Sequence, residues 1–360
     1  MRLRDDLTSG GGWRPGLIGV AIGVAAGWAC AWLGTPIPWM LGPMFALAVL
    51  RVAGVAVAAP AGARHGGQWI IGTALGLYFT PQVMREVAGW WPLFAAGAAF
   101  AIALGYGAGL ALARLAGIDR TTAVFASVPG GAAEMAVLGE RFGARADRVA
   151  AAQSLRILIV VGIVPAAYAV LGIHGADPYV PGTAVFVPAG LALLLAATLA
   201  GSAVAQWLNV PNAFVLGSLA VAIPLTAAEI NLSAVPRVVS NAGQCLLGCA
   251  LGARFQPDFL RGAPRFVLSV AVTVVGAIVA TAALGLGLAQ LSGLPASTLV
   301  LGLAPGGIAE MAITAKVLQL GVPMVTTFHV TRVVALLLLT APLFTRVRAW
   351  RHRHKGADLE

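Results

Sequence analysis

The chain has 360 residues, 59% of them hydrophobic and only 10% charged, with a mean hydropathy of +0.89 and a formal net charge of +10. Soluble domains carry about 25% charged residues, so this composition excludes an ordinary water-soluble fold and points to an all-α polytopic membrane protein. The positive charge sits in short loops and near the ends, as in "RVRAWRHRHK" (346–355), which is the positive-inside pattern and not a DNA-reading module; no direct nucleic-acid partner is expected.

In chain order, the polar start "MRLRDDLTSGGGWRPG" carries no cleavable signal pattern, and residues 1–12 read as a cytoplasmic tail. Residues 13–180 form a first membrane repeat of six apolar segments, at about 16–35, 37–55, 67–82, 88–116, 121–139 and 148–172. Residues 181–346 form a second, with segments at about 184–208, 212–229, 240–255, 264–291, 297–316 and 322–346, and a basic cytoplasmic tail follows at 347–360.

The two halves align without gaps over several stretches. "WLGTPIPWMLG" (32–42) falls on "WLNVPNAFVLG" (207–217), and "GGQWIIGTALGLYF" (66–79) on "AGQCLLGCALGARF" (242–255), which pairs Gln68 with Gln244. "SVPGGAAEMA" (127–136) returns as "LAPGGIAEMA" (303–312), and Arg156 lands on Arg332. Composition bias scatters Gly and Ala matches but does not set Gln, Pro, Glu and Arg in register.

The fifth segment of each half is interrupted by Pro-Gly-Gly. Backbone broken at membrane depth is tolerated where protein or a water-filled cavity satisfies it. Read as a re-entrant or broken helical hairpin, it leaves five transmembrane helices per half, and an odd number inverts the second repeat. With both ends inside, Arg141, Arg145, Arg148, Arg254, Arg261 and Arg265 fall on the cytoplasmic side, with Arg85, Arg237 and Lys316 as exceptions. The expected location is a bacterial inner membrane, multi-pass, N-in and C-in.

Inverted repeats with broken helices are the plan of secondary transporters. Pro129 and Pro305 suit a first helical turn, and Gly130, Gly131, Gly306 and Gly307 permit a tight turn and close approach of a ligand. The half-helices that follow present free N–H groups to an anion, with Glu134 and Glu310 in their first turns. Gln153 lies one turn before Arg156 and His329 one turn before Arg332, each pair on one helix face. An intramembrane arginine faces a partner or a cavity, so both pairs are expected to face the hairpin tips. Other readings stay open: Glu134–Arg332 or Glu310–Arg156 as structural ion pairs, arginines that snorkel, and Gln68 and Gln244 as helix-to-helix hydrogen bonders or secondary ligand groups. Cys30, Cys245 and Cys249 read as core residues, and His329 lacks companions for a metal. No metal, cofactor or catalytic residue is assigned, and the protein is not read as an enzyme.

The duplicated PGG-x-AEM motif with its trailing Gln/His-x-x-Arg helix resembles the bacterial AbrB-duplication membrane protein family over about residues 15–345. Members carry labels such as ammonia monooxygenase or AbrB-family transcriptional regulator. An oxygenase needs clustered His or carboxylate ligands and a regulator a DNA-reading module, and neither is visible in this sequence. The architecture is also similar to sodium/glutamate symporters and citrate-type carriers, whose five-helix inverted repeats each hold a glycine-glycine re-entrant loop. That resemblance implies a carrier of carboxylate-bearing solutes. The present loops have PGG followed by Ala-Ala-Glu or Ile-Ala-Glu in place of a GGxG pattern, which leaves the coupling ion open between H+ and Na+. The expectation is a secondary transporter for a small anionic organic solute, paired as a homodimer in the lipid bilayer. The alternative is a non-transporting membrane sensor or scaffold that affects gene expression indirectly.

Overall fold

The computed structural model describes residues 13–176, 179–255 and 263–355, and within them the chain forms fifteen helices and no strand. The expected tail at 1–12, Arg261 and residues 356–360 lie outside the described residues. In order the helices are α1 (Trp13–Trp32), α2 (Pro38–Val52), α3 (Ala63–Gly76), α4 (Pro81–Gly89), α5 (Trp91–Ala116), α6 (Arg120–Ser127), α7 (Ala132–Arg141) and α8 (Ala146–Val170), then α9 (Pro188–Trp207), α10 (Ala213–Ala227), α11 (Arg237–Gly252), α12 (Pro264–Ser292), α13 (Ala296–Leu303), α14 (Ile308–Leu318) and α15 (Val322–Lys355).

Local chemistry sets these boundaries. Pro occupies the first turn of α2, α4, α5, α9 and α12, where its missing N–H costs nothing. Asp119 caps α6 by accepting from Thr122 N at 2.7 Å. α5 and α12 stop at Gly117 and Gly293 in the left-handed conformation. α2 and α10 both start from a left-handed residue that follows a proline, Ile37 (φ 42) and Asn212 (φ 50). α4 was not foreseen as separate from its neighbours, and α15 runs through the expected junction at 346/347 to Lys355.

Five helices, α1, α5, α8, α9 and α12, are long and apolar enough to cross a membrane. The four helices α2, α3, α10 and α11 have 15, 14, 15 and 16 residues, about 21–24 Å at the α-helical rise and shorter than a bilayer core of about 30 Å. They pack on one another: α2 on α11, α3 on α10 and on α11, with α1 and α9 flanking. The fit is close because glycines face backbone. A Cβ on Gly72 would stand 2.9 Å from Val215 O, and one on Gly248 would run into Met40 O.

A second bundle gathers α5–α8 and α12–α15. Both bundles draw on both halves of the sequence, so the expected repeat boundary near residue 180 does not separate two packed bodies. α3 meets α14 and α15, and α11 meets α8. One apolar core spans this junction, with Met40, Met44 and Leu247 on one side and Val160, Val161 and Met311 on the other.

Candidate functional site

Two helices of the second bundle are broken, at the residues that carry the repeated motif. α6 ends at Ser127 and α7 begins at Ala132; α13 ends at Leu303 and α14 begins at Ile308. Each break frees carbonyls at the end of one short helix and N–H groups at the start of the next.

The carbonyls are taken by the helix that follows. Gln153 Nε2 donates to Phe125 O and Val128 O, both at 2.8 Å. Arg156 donates from Nη1 to Val128 O at 3.3 Å and from Nη2 to Gly130 O at 3.2 Å. In the second break Arg332 donates from Nη1 to Ala304 O at 2.9 Å and from Nη2 to Gly306 O. His329 Nε2 lies 3.3 Å from Leu301 O. The expected polar pairs therefore face the tips, with a partner that the sequence reading did not weigh: the backbone of the break itself. Cationic side chains at a helix C-terminus also complement its dipole.

The glutamates do not pair with the arginines. No carboxylate oxygen of the described residues lies within 4.0 Å of Arg156 or Arg332, so neither the Glu134–Arg332 nor the Glu310–Arg156 ion pair is formed. Snorkelling is also excluded, since Arg156 is 5% exposed and Arg332 is 4% exposed. Each glutamate instead folds back over the second glycine of its own motif. A Cβ on Gly131 would strike the Glu134 carboxylate, and one on Gly307 the Glu310 carboxylate. Met135 and Met311 lie in the same way over Gly130 and Gly306. The chain bends at both breaks, with Gly130 N–H donating to Val128 O at 2.8 Å in the first. None of the four glycines has a positive φ, so these bends do not draw on the left-handed conformation, and a Cβ at each would meet a side chain of the next turn.

A cavity with about 490 Å³ of atom-free space, part of it open to the exterior, lies between the two tips and the first bundle. Both Gly-Gly pairs, Arg156, Glu310 and Arg332 line it, together with Gln68 and Arg64 of α3 and Asn212 at the start of α10. Asn212 ties the wall together. Its Oδ1 accepts from Arg64 Nη2 at 3.3 Å and Gln68 Nε2 at 3.5 Å, and its N–H donates to Glu134 Oε1 at 3.4 Å. Three guanidiniums and one carboxylate thus line this space. Of the seven buried side-chain polar atoms without a partner among the described residues, five lie at the breaks: Glu134 Oε2, Gln153 Oε1, Arg156 Nε, His329 Nδ1 and Arg332 Nε. Such groups are rare in folded proteins, and five at one place call for an explanation.

Gln244 is buried on α11 but does not line the cavity, so the secondary candidates separate: Gln68 joins the site and Gln244 does not. Arg64 and Asn212 were missed. Their signal lay in the repeat's mismatches, where Arg64 faces Ser240 in the alignment and Asn212 faces Ile37. Among the described residues no group of three or more His, Cys, Asp or Glu is arranged to hold a metal.

A family model described as transition state regulatory protein AbrB matches residues 11–348. A Bacillus subtilis (strain 168) protein named "Uncharacterized protein YhjN" is 27% identical over 362 residues, spanning 93% of each chain. An Escherichia coli (strain K12) protein named "Putative regulator AbrB" is 24% identical over 313 residues, spanning 86% of this chain and 90% of its own. No solved structure matches.

Proposed function

The chain belongs to the AbrB family, and from that premise we propose that it is a secondary transporter moving a small anionic organic solute by alternating access. The observation that carries the reading is the pair of buried guanidiniums, Arg156 and Arg332, at the tips of two broken helices and on one cavity wall, with no carboxylate of the described residues within 4.0 Å. Buried charge is costly unless paired, and an anion between the tips supplies the missing partner. The moving bodies in this reading are the two bundles, because the cavity lies at their junction. Inverted repeats of five crossings, a bacterial inner-membrane location with both ends inside, and pairing into a homodimer belong to the same proposal, as does the absence of enzymatic chemistry.

Carriers that couple to Na+ use freed carbonyls of broken helices as ligands. Here the carbonyls of Val128, Gly130, Ala304 and Gly306 already accept from arginine. That occupancy favours a proton over Na+, with the buried Glu310 as its carrier. Thermal-shift measurement of purified protein against organic anions, cations and neutral solutes tests the site. Stabilisation by anions, independent of Na+ and lost in Arg332→Ala, is expected; equal response to all three classes would refute it.

The name of one relative, "Putative regulator AbrB", is compatible with a second reading, a membrane sensor that binds a ligand without moving it and influences gene expression indirectly. A sensor binds the same anions but shows no solute exchange across a membrane.

A further inference from the structure

The arginine pair also borders a second chamber, on the other side of the hairpin tips. It holds about 510 Å³ of atom-free space between α5 and α12, part of it open to the exterior. The two chambers share Pro129, Arg156 and Arg332. Their walls differ in kind. The chamber facing the first bundle mixes charged and amide groups with apolar ones such as Ile157, Val215 and Val333. The α5–α12 chamber is lined by small apolar side chains, among them Ala101, Ala108, Val274 and Ala277.

The two threonines in this wall do not make it polar. Thr273 Oγ1 donates to Ser269 O and Val270 O at 3.0 Å, and Thr281 Oγ1 to Ala277 O at 2.9 Å and Ile278 O at 3.0 Å. Their hydroxyls are committed to their own helix, and what remains is methyl surface. The other polar lining groups are Ser127, at the end of α6, and the two guanidiniums, so polarity is confined to the tip end of an apolar chamber. Arg156 Nε and Arg332 Nε are buried without a partner among the described residues.

We propose that the solute is an amphiphilic organic anion, with its charged head between Arg156 and Arg332 and its apolar chain between α5 and α12. The inference rests on the anion reading of the same site and adds the chemical class of the ligand. An apolar chain in this chamber is removed from water, and each buried methylene raises affinity about fourfold. A head alone gains nothing from the chamber.

The test uses the full chain in nanodiscs and the straight-chain carboxylates acetate, butyrate and hexanoate, with 1-hexanol as the neutral control, read by titration calorimetry. The expected result is affinity that rises at least tenfold from acetate to hexanoate, with hexanol weaker than hexanoate. Ala277→Leu narrows the chamber while keeping both arginines, and is expected to cut the hexanoate-to-acetate ratio at least fivefold, with the thermal midpoint showing that the variant is folded. Three carboxylates binding within threefold of one another would overturn the amphiphile and leave the anion site standing. A chain-length gain that survives Arg332→Ala, or that hexanol matches, would mean that the opening takes apolar chains as it would a lipid tail, and would also overturn the proposal. No binding of any carboxylate would remove the anion reading beneath it.

Discussion

Each letter of the repeated motif has a physical task at the residue scale. Proline opens the turn, the first glycine lies under a methionine, and the second lies under the glutamate that heads the next half-helix. Gly307→Ala places a methyl group where the Glu310 carboxylate sits. We expect little loss of stability, because the group displaced is the end of a flexible side chain, together with loss of anion binding, because the carboxylate must leave its place on the cavity wall. Gly293→Ala, at a left-handed helix end with open space around it, is the control: it costs stability through its backbone and leaves binding intact. Chemical denaturation and calorimetry on both variants separate the two effects. The sequence made the glycines, glutamates and arginines legible because they recur in register. It did not reveal their partners. Opposite charges in one motif suggest an ion pair, whereas a broken helix exposes carbonyls that claim the guanidinium first, and carbonyls leave no mark in a sequence. Arg64 and Asn212 were hidden for the opposite reason, since a search for repeated residues passes over those that the second copy lacks.

At the element scale, the site depends on helices that stop early. α6 and α13 have eight residues each, too few to hold their ends without help, and the side chains of α8 and α15 supply it. The start of α10 closes the cavity from the first bundle through Asn212, whose φ of 50 suits Asn better than most residues. Asn212→Gly keeps the left-handed backbone and its N–H, and deletes the acceptor shared by Arg64 and Gln68. We expect the fold to survive with a thermal midpoint within a few degrees and anion affinity to change at least fivefold, read by calorimetry. Unchanged affinity would remove Asn212 from the site. Helix positions were largely readable from apolar runs, and the breaks at 128–131 and 304–307 from Pro-Gly-Gly. Helix length was less so. The segment read as 37–55 is helical only over Pro38–Val52, and that read as 240–255 over Arg237–Gly252. Hydropathy counts apolar residues whether they are coiled or extended, so it overstates or shifts the ends of short helices.

At the scale of the whole molecule, the two bundles interleave the halves of the chain, and their junction holds the polar cavity. Periodicity along one chain cannot show this arrangement, because it depends on which short helices find each other across about 176 residues. If the bundles move against each other, tying them together stops exchange. Phe45 of α2 and Gly162 of α8 meet across the junction, where a Cβ on Gly162 would lie 3.0 Å from the Phe45 ring. With Cys30, Cys245 and Cys249 replaced, a short bifunctional thiol reagent joining Phe45→Cys to Gly162→Cys is expected to abolish exchange, while the unreacted double variant retains it. Full exchange after complete cross-linking would rule out motion at this junction.

Solute counterflow in proteoliposomes tests the central claim most directly, with methanesulfonate, hexanesulfonate and succinate as labelled probes that stay charged and do not leak across lipid. The account predicts exchange of at least one of these anions by the native protein, unaffected by replacing Na+ with K+, and none by a folded Arg332→Ala variant. Anion binding without exchange of any probe would contradict a carrier and move the protein to the sensor class; exchange that persists in Arg332→Ala would contradict the site.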